Sequence, residues 1–127
     1  MRSTSMRKHI FTISLFTFLL FTAASLNAQV RAQTGIWNAD KTISNYSLAA
    51  GGELERYVTL QITFPKPFNT KPEVIFGITR FDADANINQR YDAKVTYVHK
   101  GGFTLEVKTW GGTKINLIGG NWMAIGE

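Results

Sequence analysis

The sequence predicts an all-β domain, an antiparallel sandwich or barrel of six or seven strands, behind an N-terminal leader. Three observations carry this expectation. Between Arg90 and Trp122, apolar and polar residues alternate over runs of seven or eight, the period of a strand with one buried face. Diglycine pairs at Gly101-Gly102, Gly111-Gly112 and Gly119-Gly120 punctuate these runs, as turns in a meander would. Beyond the leader, no window repeats its apolar residues with the 3.6 period of a helix.

The chain opens on a segment that reads as a signal peptide over residues 1–28, leaving residues 29–127 as one domain. Arg2, Arg7 and Lys8 form a basic start, Ile10 to Ala24 is an apolar run, and Leu26-Asn27-Ala28 has the spacing of a cleavage site. The apolar run is short for a spanning helix, which needs about 20 residues. The expectation is therefore export, to the extracellular medium or a periplasm, with no membrane span in the mature form.

Gln33 to Asn38 is readable as a short first strand carrying Ile36 and Trp37. A polar loop follows and closes on Ala49-Ala50-Gly51-Gly52. From Arg56 to Phe64 the alternation is clean, with Val58, Leu60, Ile62 and Phe64 on one side and Tyr57, Thr59, Gln61 and Thr63 on the other. Pro65 and Pro67 end that strand, because proline has no amide proton for a ladder. Glu73 to Phe81 is almost wholly apolar, which predicts a strand in the middle of a sheet. Tyr91 to Val98 and Phe103 to Lys108 form a hairpin, whose Gly101-Gly102 turn is expected to need positive φ. Lys114 to Ile118 and Trp122 to Gly126 complete the count.

Charge and composition exclude several functions. The chain holds 14 Lys+Arg against 9 Asp+Glu, and three of the basic residues lie in residues 1–28 with none of the acidic ones. The mature domain is thus 11 against 9, a net charge of +2, too balanced for a nucleic-acid surface. No cysteine is present, so neither disulfides nor thiolate metal sites are available, and oligomerisation is the remaining common source of stability for so small an exported domain.

Asp82, Asp84 and Asn86 resemble the start of a calcium loop, but the sixth and twelfth positions hold Ile87 and Ala93 instead of glycine and a carboxylate, so no metal is expected. Glycosidase chemistry needs two carboxylates facing one sugar, and nothing in the spacing of Glu53, Asp82, Asp84 and Asp92 pairs them. His99 is the one histidine after the leader and precedes a turn, with no nucleophile-elbow motif anywhere. The sequence therefore points away from an enzyme, and no cofactor is implied. Arg90, Glu53 and Trp110 border turns, where a guanidinium, a carboxylate and an aromatic ring suit a hydroxyl-rich ligand. Arg90 fits equally well a surface ion pair with Asp82 or Asp92, and Trp110 fits ordinary core packing.

From Val58 to Gly126 the chain resembles the H-type lectin domain, the family of snail agglutinin and of the C-terminal part of the slime-mould discoidins. The matching residues are Ile62-Thr63-Phe64, Pro67-Phe68, Pro72, Val74, Ile78-Thr79, Asp82, Arg90, Gly102-Phe103, Thr109-Trp110, Trp122 and Ala124, with Gln33-Thr34-Gly35 at the opening strand. The resemblance implies a six-stranded antiparallel β-sandwich, a homotrimer, and binding of galactose or N-acetylgalactosamine between protomers. Carried over position by position, the family's sugar-site glycine and acid fall on Gly51 and Glu53, the acid usually being aspartate. Its arginine falls on Arg90 and its stacking tryptophan on Trp110. Where the snail protein has histidine after the tryptophan, this chain has Gly111, and a tyrosine six positions after it is replaced by Asn116. Fewer hydrogen bonds and less ring surface follow. A multivalent lectin for galactose-type glycans is the favoured expectation. A non-lectin sandwich used for oligomerisation or surface attachment comes second, and a hydrolase last.

Overall fold

A computed structural model describes residues 29–127; the expected leader lies outside the described residues. The domain has six strands and no helix: β1 (Arg31–Asp40), β2 (Arg56–Thr63), β3 (Glu73–Ala83), β4 (Tyr91–His99), β5 (Gly102–Thr109) and β6 (Ile115–Gly126). They form two three-stranded antiparallel sheets, ordered β1-β6-β3 and β2-β5-β4. The two sheets pack as a sandwich, in agreement with the expected fold class.

The alternation seen in the sequence sets the faces. In β2, Val58, Leu60 and Ile62 turn inward while Tyr57, Thr59, Gln61 and Thr63 are exposed. In β5, Phe103, Leu105 and Val107 are buried, and they meet Ile115, Ile118, Trp122 and Ala124 of β6 across the core. Burying each such side chain removes enough apolar surface to contribute roughly 1.5–3 kcal/mol. Trp122 lies against Phe64 (ring centroids 5.6 Å) and Phe103 (5.5 Å), and Phe64 meets Phe68 edge-on at 5.1 Å. This aromatic group closes one end of the sandwich. Backbone bonds from Phe64 N to Gly101 O (2.9 Å) and Phe68 N to Lys100 O (2.8 Å) fasten it there.

The connections after β1, β3 and β5 all emerge at the other end. They span residues 41–55, 84–90 and 110–114. The first is docked by Leu48, which is fully buried, by Ile115 N donating to Leu48 O (2.9 Å), and by the Tyr46 hydroxyl donating to Ile115 O (2.9 Å).

Three expectations need correction. Glu73–Ala83 is an edge strand, and β6 is the middle one. Its apolar look arises because Val74, Phe76 and Ile78 face the core while Ile75 stays 64% exposed on the outer face. Gly119-Gly120 is no turn but lies inside β6, so the two apolar tails of the sequence are one strand. A Cβ on Gly120 would strike the Gly77 carbonyl, and a Cβ on Gly119 would lie 2.8 Å from Trp37 O. The pair therefore allows close backbone approach beside the bulge where β3 inserts Thr79 between Ile78 and Arg80. Gly101 and Gly102 lack the positive φ expected of them. Gly102 is required for space instead, since a Cβ there would run into Ile62 O.

Candidate functional site

The loop end of the sandwich is built from two diglycine turns that touch. Gly51 (φ 73°), Gly52 (φ 102°), Gly111 (φ 64°) and Gly112 (φ 81°) all take the left-handed conformation that L side chains rarely adopt. Gly112 N donates to Gly52 O at 3.0 Å, which joins the loop before β2 to the turn after β5.

Arg90 lies at the start of β4, and buried threonines hold its backbone. Thr109 Oγ1 donates to Arg90 O (2.5 Å), and Arg90 N donates to Thr113 Oγ1 (3.1 Å). Thr113 Oγ1 in turn donates to Asn88 O (2.6 Å), and both threonines are fully buried. The guanidinium runs along the second turn, with Nη1 donating to Gly111 O at 3.2 Å. A Cβ on Gly111 would collide with that same Nη1. Arg90 thus fills the space that a side chain at 111 would take. Its Nε and Nη2 have no partner among the described residues and neither is a buried unsatisfied atom, so this edge is open. The ion pair with Asp82 or Asp92 allowed by the sequence does not form.

Trp110 follows β5 and is half-buried, not a core residue. Lys108 Nζ sits 5.3 Å from its ring centroid, a cation–π approach, while also pairing with Glu55 at 3.1 Å. Glu55 also accepts from the Tyr57 hydroxyl. That bond, followed by the one from Lys108, lowers the Glu55 pKa, and Glu55 in return raises those of Tyr57 and Lys108. The three form one locked polar cluster beside the tryptophan.

Glu53 is exposed at the tip of the first loop. Its neighbours are gripped by Arg56, whose Nη1 donates to Gly52 O (2.5 Å) and Leu54 O (3.1 Å), and whose Nη2 donates to Thr113 O. Lys114 lies along Gly51, where a Cβ would come within 2.7 Å of Lys114 Cε.

The structure therefore gathers Gly51, Glu53, Arg90, Trp110 and Gly111 at one end of the molecule. Asn116, the second residue of β6, lies at the same end, half-buried and with no hydrogen bond to the others. Three residues that shape this end were given no site role by the sequence. Thr109 carried a signal, since it continues the inward phase of Phe103, Leu105 and Val107. Arg56 and Thr113 carried none: Arg56 ties the nearby Gly52 and Leu54 carbonyls to the distant Thr113 carbonyl, and Thr113 reaches Asn88 O, 25 residues away. Among the described residues, no group of three His, Asp or Glu side chains converges as a metal site.

This arrangement has relatives. The family model of the H-type lectin domain matches residues 59–125, from within β2 to the last turn of β6. The "ATP synthase subunits region ORF 7" protein of Fuscovulum blasticum is 32% identical over 101 residues, covering 76% of this chain and 87% of that protein. Two structures of discoidin II from Dictyostelium discoideum superpose on it. The recombinant protein does so with TM-score 0.66 and 25% identity over 77% of this chain. The wild-type protein gives TM-score 0.65 and 26% identity over 76%. The chain spans just over a third of discoidin II, 37% and 36% of the two chains. With more than half its length matched by the family model, and a fold that superposes on both structures, this chain belongs to the H-type lectin domain family.

Proposed function

We propose that the protein is an exported lectin that binds galactose- or N-acetylgalactosamine-type glycans at the Arg90 end of the sandwich and gains strength by forming trimers. The observation that carries this reading is the free Nε–Nη2 edge of Arg90 on a rigid double turn, with Trp110 beside it. That edge can donate two parallel hydrogen bonds to neighbouring hydroxyls of a hexose. Trp110 supplies an aromatic surface for the apolar face of the ring, and Glu53 a carboxylate that accepts from hydroxyls. Gly111 and Asn116 add little ring contact, so a single site should bind a free monosaccharide only weakly, at around millimolar concentration.

The trimer reading rests on the outer face of the β1-β6-β3 sheet. In register across that sheet lie Thr34, Met123 and Ile75 in one row and Ile36, Asn121 and Gly77 in the next. Ile36 is 75% exposed and Ile75 64%, and they flank a shallow depression of about 570 Å³. Second and third copies of the chain would cover this apolar face. Three linked sites on one assembly could raise apparent affinity for a glycan-coated surface by roughly two to four orders of magnitude.

A glycan array probed with wild type and Trp110→Ala tests the sugar site. Retention of galacto-configured glycans by wild type and their loss in the variant is the expected result; an array blank for both would favour a non-lectin module. Sedimentation of wild type and Ile75→Asp tests the assembly, with a trimer expected for the first and a monomer for the second. A monomeric wild type would remove the inter-protomer site and the avidity together.

A further inference from the structure

The outer face of the β2-β5-β4 sheet exposes an aromatic ring that simple alternation would turn inward. Ala93 and Val95 face the core, so the next inward position in β4 is Tyr97. The register shift between Val95 and Tyr97 reverses the phase: Val98 packs against the core, and Tyr97 stands 62% exposed on the outer face. Its ring lies beside that of His99, with centroids 5.5 Å apart and planes 31° from parallel. His99 is itself held. Its Nδ1 accepts from Gly101 N (3.1 Å), and a Cβ on Gly101 would come within 3.3 Å of its Cε1. Gly102, opposite His99 in the register, sets no side chain beside it on β5.

Polar groups with unused hydrogen-bonding capacity surround the ring. Gln61, Thr104 and Tyr97 form one row across the sheet. Thr104 Oγ1 donates to Gln61 Oε1 (2.9 Å), which fixes the amide and leaves its Nε2 without an acceptor among the described residues. The Tyr97 hydroxyl has no partner there either. With Nδ1 accepting, the neutral His99 ring carries its proton on Nε2 and can donate outward. An open aromatic ring braced by a neighbour and ringed by amide, hydroxyl and imidazole donors suits a ligand with one apolar face and a rim of hydroxyls. A wholly apolar partner would leave those donors unsatisfied.

We propose that this face is a second glycan-binding site, in which a neutral hexopyranose unit stacks on Tyr97 and takes hydrogen bonds from Gln61 Nε2 and His99 Nε2. It lies six residues along β4 from Tyr91, about 20 Å from the Arg90 end at roughly 3.3 Å per residue, and shares no side chain with that site. It therefore stands whether or not Arg90 binds sugar. The assembly proposed above covers the opposite sheet, so this face stays open in it. A protomer with two sites so placed can hold one long glycan chain at both.

An NMR titration of the isotope-labelled exported protein with galactose, a β-1,4-linked galactohexaose and cellohexaose tests this. The backbone amides of Tyr97, His99 and Thr104 and the Gln61 side-chain amide should shift with at least one hexasaccharide, and the galacto and gluco arms show which ring the face prefers. Tyr97→Ala should weaken that binding roughly tenfold, and Tyr97→Phe, which keeps the ring, should stay within about threefold of wild type. Tyr97 is exposed, so the spectrum outside β4 should be unchanged in both variants. Shifts confined to the Arg90 end would overturn the proposal and leave the lectin reading standing. Shifts confined to the Tyr97 face would support it and remove the Arg90 site. No shift on this face with any of the three sugars, or equal affinity in Tyr97→Ala, would overturn it.

Discussion

Arg56→Met should cost about 2 kcal/mol and loosen the site without opening the core. The side chain bonds three carbonyls, Gly52 O, Leu54 O and Thr113 O, from two different connections. Hydrogen bonds from a charged donor contribute about 1.5 kcal/mol each at the lower end, so losing three removes roughly 4–5 kcal/mol. Part of that returns, because the native guanidinium is desolvated with Nε unpaired, and methionine relieves this while keeping the apolar stem. Denaturant unfolding measures the net loss. Amide exchange locates it: Gly112 N donates to Gly52 O, the carbonyl that Arg56 also holds, so Gly112 should lose protection while Leu105 and Val107 in β5 keep theirs. Arg56→Lys keeps the charge but not the fork and should recover about half the loss. A loss below about 0.5 kcal/mol with Gly112 protection unchanged would refute the view that this arginine ties the turns together.

Two further predictions concern the frame that carries the site. Gly120→Ala places a methyl group against the Gly77 carbonyl and within 3.0 Å of Ile78 Cα, both backbone, so β3 must separate from β6 at a cost of about 2–4 kcal/mol. Gly77→Ala, whose Cβ would meet nothing within 4 Å, should stay within about 0.5 kcal/mol of wild type, and thermal unfolding of the pair checks the contrast. Burial, with a smaller contribution from Asp40, pushes the Tyr46 pKa up to about 12. The folded state therefore holds the phenol proton where the unfolded chain, titrating near 10, has lost it. Stability should be unaffected below pH 10 and fall between pH 10 and 12, by about 1 kcal/mol once partial exposure is allowed for, and Tyr46→Phe should remove that pH-dependent step.

What the sequence disclosed follows from where its physics is local. Inward and outward faces were legible in β2 and β5 because a period of two needs only neighbouring residues, and Val58, Leu105 and Val107 lie where alternation places them; in β4 a bulge after Val95 breaks the expected phase, leaving Tyr97 exposed and turning Val98 toward the core. Strand order was not, because an edge strand and a central strand differ in their partners. Glu73–Ala83 looks central only because Ile75 adds an apolar residue to its outer face. The glycines misled for a related reason. Gly111 and Gly112 do form a left-handed turn, but Gly102 and Gly120 are required by backbone passing close overhead, and nothing local announces that. Of the candidate site, Arg90 and Trp110 are suggested by turn position and family resemblance, whereas the bonds from Arg56 to Thr113 O and from Thr113 to Asn88 O join residues far apart in sequence.

That division explains how a small sandwich without disulfides can hold its loop end in place. No ion pair positions Arg90. Two buried threonine hydroxyls fix its backbone, and one carbonyl fixes half its guanidinium. Hydrogen bonds to buried hydroxyls are short-ranged and unaffected by salt, so the arginine stays aligned while its charge remains uncommitted. Had Asp82 or Asp92 taken the guanidinium, the same residue would present neither a free edge nor a free charge. Lys108 shows the opposite choice at the neighbouring tryptophan, with its ammonium already engaged by Glu55. The end of the sandwich thus separates a cation engaged by a carboxylate from one whose outer edge stays open. Substitutions at Thr109 or Thr113 should therefore weaken ligand binding through loss of alignment, even though neither hydroxyl is exposed to a ligand.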